Sequence, residues 1–195
     1  MKKIFFLIFA LISMQSYSQQ NRTVGTYANG NFTLAVTVQS TSSLYQNYIC
    51  PFINFSGTLN SISITDGSPT DTSKIAYLMF VGVSDRGESS TFGLFLEKTI
   101  DVNGNTIYKI LSQAQLDSEE ELYNNDPTNA KLLGWTCKNV DGCSGCDPFK
   151  NDSGQVVGCN CPNSSVLYCQ FNRSGGQPFP WGPLGGILAA ILALL

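Results

Sequence analysis

Apolar and polar residues alternate through much of the stretch from about residue 22 to 111. Phe32, Leu34, Val36 and Val38 alternate with Thr33, Ala35, Thr37 and Gln39. A period of two sends one set of side chains to a buried face, as in a strand. The run Ser61-Ile62-Ser63-Ile64-Thr65 repeats it, and so do Phe92, Leu94 and Leu96. Residues 75–83 are nearly all apolar, which predicts a strand at the centre of a sheet. Asn103-Gly104 separates residues 99–102 from 106–111 and predicts a hairpin with a type I′ turn, because that turn needs positive φ at both central residues. Asn29-Gly30, Asp66-Gly67 and Arg86-Gly87 mark further turns. About seven short strands with this punctuation predict a mainly β fold, an antiparallel β-sandwich. Its expected core holds Phe32, Leu34, Val36, Ile62, Ile64, Leu78, Phe80, Phe92, Leu94 and Leu96.

One helix is expected over residues 117–123. Ser118 and Glu121 fit a capping box, and Asp126-Pro127 ends the element. Glu119, Glu120 and Glu121 read as a solvated first turn, since adjacent helix positions point apart and do not chelate together.

The pattern changes at both ends. Lys2 and Lys3 precede nine uncharged apolar residues, 4–12, and Ser16 and Ser18 give a small-x-small site. This is the form of a secretory leader spanning residues 1–18, with cleavage before Gln19. Nine helical residues reach about 14 Å, well short of the ~30 Å hydrocarbon core of a bilayer. At the other end, residues 184–195 (LGGILAAILALL) are apolar and no charge follows them. As a helix they reach about 18 Å, again too short to span. Ser174, Gly175 and Gly176 lie upstream, followed by the spacer 177–183. Small triplet, spacer and terminal apolar tail are the pattern of a GPI-attachment signal, here residues 174–195, whose tail is removed and replaced by lipid. Ser174 is the expected attachment residue, and Asn172 is the alternative. The rival reading of the tail is a hydrophobic helix packed on the domain or on a membrane surface.

Between the ends, the chain divides at about residue 134. Residues 19–134 carry the strand pattern. Residues 135–173 hold Cys137, Cys143, Cys146, Cys159, Cys161 and Cys169 among Gly, Asn, Asp and Pro, and read as a small, loop-dominated cysteine-rich lobe, either a subdomain or a crosslinked extension of the sandwich. In a secreted chain these six are disulfide candidates. Fifteen pairings are open. A CxC pair does not easily close on itself, so Cys159 and Cys161 reach different partners. Zinc bound by CxxC and CxC thiolates, and a redox-active CxxC, are the competing uses; the chain's secretion and the absence of a helical pattern after Cys143-Ser144-Gly145-Cys146 weigh against them. Cys50 stands apart and is the unpaired candidate. It is buried and free, or it staples sandwich to lobe, or it links two chains. Six N-x-S/T acceptors, at Asn21, Asn31, Asn54, Asn151, Asn163 and Asn172, are glycosylation candidates.

Composition narrows the chemistry. Of 195 residues, 43% are hydrophobic and 13% charged, and the formal net charge is −3. Without Lys2 and Lys3, nine basic residues face fourteen acidic ones, so nothing supplies the cationic surface that nucleic acid requires. There is no histidine, which excludes a Ser-His-Asp triad, a Cys-His pair and any His-ligated metal. No phosphate-binding glycine loop or nucleophile elbow is present, and Asp141-Gly142 and Asp152-Ser153-Gly154 lack the full spacing of a calcium loop and read as turns. No cofactor, metal ligand or catalytic residue is indicated.

The leader MKKIFFLIFALISMQSYS and the end SGGQPFPWGPLGGILAAILALL, with the acceptors and the cysteine lobe between them, resemble in architecture the GPI-anchored surface antigens of protists, especially ciliates. The leader alone also suits a secreted protein of a Bacteroidetes-type bacterium. The resemblance implies a non-enzymatic, GPI-anchored cell-surface glycoprotein on the outer face of the plasma membrane. It would act as a coat, adhesion or binding module toward an extracellular protein or glycan, and self-association is open. The alternatives are a secreted carbohydrate-active enzyme on a β-sandwich scaffold and a structural subunit of an extracellular filament.

Overall fold

A computed structural model describes residues 22–112, 114–115, 117–118, 134–139, 146–161, 169–173 and 181–195. In it the alternation becomes an antiparallel sheet. Strands β3 (Thr58–Asp66), β4 (Ala76–Val83) and β5 (Ser89–Ile100) form a meander with β4 in the middle. The apolar run of β4 is explained by this place, since both its faces are covered. The long β5 serves two neighbourhoods. Residues 89–96 pair with β4 and 90–94 with β7 (Gly134–Asn139), while 97–100 pair with β6 (Thr106–Lys109). Beyond β7 lies β10 (Cys169–Arg173); beyond β6 lie β1 (Thr23–Ala28) and β2 (Asn31–Leu34). The two halves of this eight-stranded sheet face each other. A Cβ on Gly25 of β1 would strike the Ile64 side chain of β3, and the Tyr108 hydroxyl of β6 donates to Asp66 at the end of β3 (2.9 Å). The fold is thus mainly β and antiparallel, as the pattern predicts.

Three hairpin loops share one construction. In Ser84–Glu88, Asp101–Asn105 and Asn151–Gln155, the first residue's backbone N–H donates to the fifth residue's carbonyl. Its carbonyl in turn accepts from the N–H of the glycine at position four. A side-chain oxygen of the first residue accepts from the N–H groups at positions three and five. At Asp101 these bonds, led by that of Asn105, hold the carboxyl below its usual range. The glycines Gly87, Gly104 and Gly154 have φ of +79°, +80° and +85°, the conformation that only glycine adopts freely. The expected type I′ turn at Asn103-Gly104 is therefore corrected: Asn103 is not in positive φ, and the loop is a bulge-type turn one residue longer. Asn29-Gly30 is where both central residues are positive (52° and 82°), joining β1 to β2 in two residues. Asp152-Ser153-Gly154 is part of such a turn.

The strand expected through Val38 is a second correction. β2 ends at Leu34, and Val38–Leu44 is a helix, α1. Thr37 caps it: its hydroxyl accepts from Ser40 N–H (3.1 Å), and Thr37 N–H donates to the Ser40 hydroxyl (3.0 Å). That reciprocal cap overrides the β-preference of the valines. A π-helical segment (Tyr45–Ile49) and the short α2 (Cys50–Ile53) follow, with Pro51 in the first turn of α2. Proline has no N–H to continue the previous ladder, and the i+5 bond from Cys50 N–H to Tyr45 carbonyl absorbs the break. Asn54 ends the run in the left-handed conformation (φ 50°).

Most of the expected core is buried: Val36, Ile64, Leu78, Phe80, Phe92, Leu94 and Leu96. Leu34 and Ile62 are partly buried. Phe32 is the correction, 42% exposed on the edge strand, its ring resting on Tyr27 and Tyr108. The core joins these residues to Leu44, Tyr45 and Ile49 and to Ile187, Leu188 and Ile191 of the C-terminal helix α3 (Trp181–Leu192). On the opposite face of the β3–β5 meander, Tyr77, Met79, Trp135 and Val156 form a second cluster with the cysteines. The lobe is built on the sheet: β7 and β10 are its strands, and the hairpin β8 (Asp147–Lys150) and β9 (Val156–Asn160) accompanies them. Of the helix expected over 117–123, Asp117 and Ser118 are helical, as are Ala114 and Gln115 just before them; the remainder, with Glu119, Glu120 and Glu121, lies outside the described residues.

Candidate functional site

A cleft of about 450 Å³ opens beside the outer face of β5. Strand alternation builds its floor. Leu94 and Leu96 point into the core, so Phe95 and Glu97 face the other way. Phe95 meets Tyr77 edge-on at 6.4 Å. One wall is the loop Thr72, Ser73, Lys74 and Ile75, pinned to the lobe by Ile75 N–H on the Ser153 carbonyl (3.1 Å) and Lys74 Nζ on the Asp152 carbonyl (2.8 Å). The other wall is Leu111 and Gln115. Arg22 Nη1 donates to Glu97 Oε2 (3.3 Å), Gln115 Oε1 (3.0 Å) and the Ile110 carbonyl (2.8 Å), holding a carboxylate and a carboxamide side by side next to an aromatic ring. That arrangement offers hydrogen bonding and an apolar surface, the ingredients of a small polar-ligand site. Among the described residues Glu97 is the one carboxylate lining the cleft, and they assemble no acid–base pair for glycoside hydrolysis there. A smaller recess of about 280 Å³ lies between the Ser84–Glu88 turn, Lys138 and Asn54, whose carbonyl accepts from Lys138 Nζ (2.9 Å).

A second constellation is buried between the sheet halves. Lys98 Nζ is 2.8 Å from Asp66 Oδ2, and the two side chains are 1% and 0% exposed. Tyr108 OH donates to the same Oδ2 at 2.9 Å. Asp66 Oδ1 accepts from Ser68 N–H (3.0 Å), and Lys98 also donates to the Ser68 carbonyl (3.0 Å). Burial, then the Asp66 bond, push the Tyr108 phenol up, so it stays protonated and donates. Lys150, beside them on Thr65 Oγ1 (2.7 Å), is pushed down by burial. None of these residues was singled out for chemistry in the sequence, yet the register carried a signal. Lys98 continues the inward series Phe92, Leu94, Leu96, and Asp66 continues Ile62, Ile64.

The sequence-predicted residues fall as follows. Cys137 is bonded to Cys159 and Cys146 to Cys169. Cys161 is disulfide-bonded as well; Cys143 lies outside the described residues. Cys159 and Cys161 do reach different partners. Both described bonds tie a strand of the main sheet to the lobe, closing separations of 22 and 23 residues. Cys50 is free and 7% exposed, with its thiol toward the Gly57 carbonyl (3.6 Å). Burial pushes it up, and burial with the neighbouring Cys50 pushes up Tyr45. Asn31, Asn54 and Asn151 are exposed, while Asn172 lies on β10 opposite Thr136. Asn21, Asn163 and Ser174 lie outside the described residues. Among the described residues no cluster of three or more Cys, Asp or Glu is placed to hold a metal, and no helix is long and apolar enough to cross a membrane.

The tail read as a removable signal is helix α3. Ile187, Leu188 and Ile191 are 0%, 3% and 0% exposed. The helix packs on α1 and the π-helical segment, and the wall of Tyr48 meets Gly186. Comparison of the chain with protein-family models, with curated proteins and with solved structures finds no match in any of the three.

Proposed function

We propose that the protein is a non-catalytic extracellular binding module of a cell surface, with its C-terminal helix kept as part of the fold. The observation that carries the extracellular half of this reading is the pair of bonds Cys137–Cys159 and Cys146–Cys169, which persist in oxidising compartments. Binding is assigned to the cleft over Phe95, Glu97 and Gln115, toward a small polar group of an extracellular glycan or protein. N-glycosylation at Asn31, Asn54 and Asn151 belongs to the same reading and is supported by their exposure.

Lipid anchorage through Ser174 is the second reading, favoured by the small triplet and short apolar tail. It removes residues 175–195 and with them three core side chains, leaving Leu44, Tyr45 and Ile49 uncovered. That loss favours retention. Mass spectrometry of the protein recovered from its own cells tests both. A C-terminal peptide ending at Leu195 with the two disulfides intact is expected. A chain ending near Ser174 with a glycolipid supports the anchor instead, and reduced cysteines in the mature protein refute the extracellular assignment.

A further inference from the structure

Charged side chains are scarce in this chain, yet one lysine and one aspartate are spent where water does not reach. Lys98 and Asp66 sit in contact at 2.8 Å, 1% and 0% exposed, on the inward register of β5 and β3. A buried ion pair keeps its charges only against a desolvation penalty that their attraction does not reliably repay. A neutral product from the same atoms removes that penalty. We propose that Lys98 and Asp66 are joined by an intramolecular amide between Nζ and Cγ, a covalent clamp between β3 and β5.

Every role in that condensation has an occupant. The proton of the Lys98 ammonium passes along the 2.8 Å contact to Asp66 Oδ2, leaving an amine and a carboxylic acid. The bond from Lys98 Nζ to the Ser68 carbonyl (3.0 Å) holds the nitrogen beside Cγ. The nitrogen lone pair attacks Cγ, and the negative charge gathers on Oδ1. Ser68 N–H already points at Oδ1 from 3.0 Å, the position of an oxyanion donor. The Cγ–Oδ2 bond then breaks and its electrons leave with Oδ2. That oxygen departs as water, with the proton it received first and a second one passed to it from the nitrogen it contacts at 2.8 Å, while the Tyr108 hydroxyl donates to it at 2.9 Å. The products are one secondary amide and one water, and no oxidant or further reactant is consumed. Amide formation from free acid and amine is unfavourable in dilute water. Here the fold holds the partners together, and well-oriented intramolecular groups reach effective concentrations of about 10⁵–10⁸ M.

Intact mass of the full chain, produced by its own cells and fully reduced, tests the clamp. The mass is expected to fall short of the processed sequence by one water, and proteolysis is expected to yield a branched peptide containing both Asp66 and Lys98. Lys98→Arg abolishes the branch. Asp66→Asn, with Lys98 in place, retains the branch, because the carboxamide forms the same amide by releasing ammonia instead of water. Separate, unmodified Asp66 and Lys98 peptides from the wild-type chain overturn the proposal, and so does a branch mapped to Lys150 or any other lysine. The wild-type peptide map decides the question even where a variant does not fold.

Discussion

Replacing Ile191 with alanine asks whether helix α3 belongs to the folded domain. Ile191 is fully buried, one turn from Ile187 and next to Leu188 in the packing, and all three join the core that includes Tyr45 and Leu94. The substitution removes three carbon atoms from water-free surroundings, worth about 0.8 kcal/mol each before any cavity term. Adding the cavity brings the loss to about 3 kcal/mol, inside the range of about 2–5 kcal/mol for such truncations. For a chain of this size, that lowers the thermal midpoint by about 6–12 °C. Removing the helix outright forfeits three such side chains, about 5–9 kcal/mol as an upper bound, comparable with the whole stability of a typical domain. The assay is urea unfolding of full-length protein and Ile191→Ala, with Ala189→Ser on the exposed side of the same helix as control. The control is expected within about 0.5 kcal/mol of wild type. An Ile191→Ala midpoint indistinguishable from wild type would refute the packing argument and restore the removable-tail reading.

Other expectations follow from single contacts. Gly93→Ala places a methyl group inside the Trp135 indole and is expected to cost at least about 1–3 kcal/mol, read as a lowered urea midpoint. Cys50 is expected to resist alkylation in the native protein and to react stoichiometrically once unfolded; rapid native labelling would mean that the core around α2 does not cover it. Raising pH is expected to destabilise the fold. Tyr77 is pushed up to about 12, and Tyr45, Tyr108 and Cys50 are raised too, so the folded state holds protons that the unfolded chain releases. The sign is a stability constant below the ordinary thiol and phenol range, about 8.5–10, that falls as pH climbs through it. Tyr77 alone contributes about 2 kcal/mol of that fall by pH 12, and a flat stability profile from pH 8 to 11 would contradict these burials. Selective reduction of the disulfides, each worth about 3 kcal/mol for its loop length, is expected to raise proteolysis within β8 and β9 first, while the β3–β5 meander keeps its amide protection.

Local chemistry was legible in the chain itself. Alternation located β3 and the middle of β5, because a period of two has no other use than a half-buried strand. The uniformly apolar 75–83 announced a strand covered on both sides, and the glycines at 87, 104 and 154 announced turns, because backbone with positive φ admits little else. The cysteine spacing spoke for crosslinks without saying which. Three things needed the tertiary structure. Val38 looked like the end of a strand, and a hydroxyl-to-backbone cap at Thr37 and Ser40 made it the start of a helix; a few side-chain bonds outweigh weak strand propensity. The apolar tail carries no mark in its sequence that tells a discarded segment from a core helix. Only the groove left by α1 and the π-helical segment gives Ile187, Leu188 and Ile191 somewhere to go. Asp66, Lys98 and Tyr108 lie up to 42 residues apart, and Arg22 and Gln115 lie 93 apart. A sequence sets which face of its own strand each side chain takes, but which faces meet is set by how β5 bends the sheet onto itself, and the chemistry of both sites arises from that meeting.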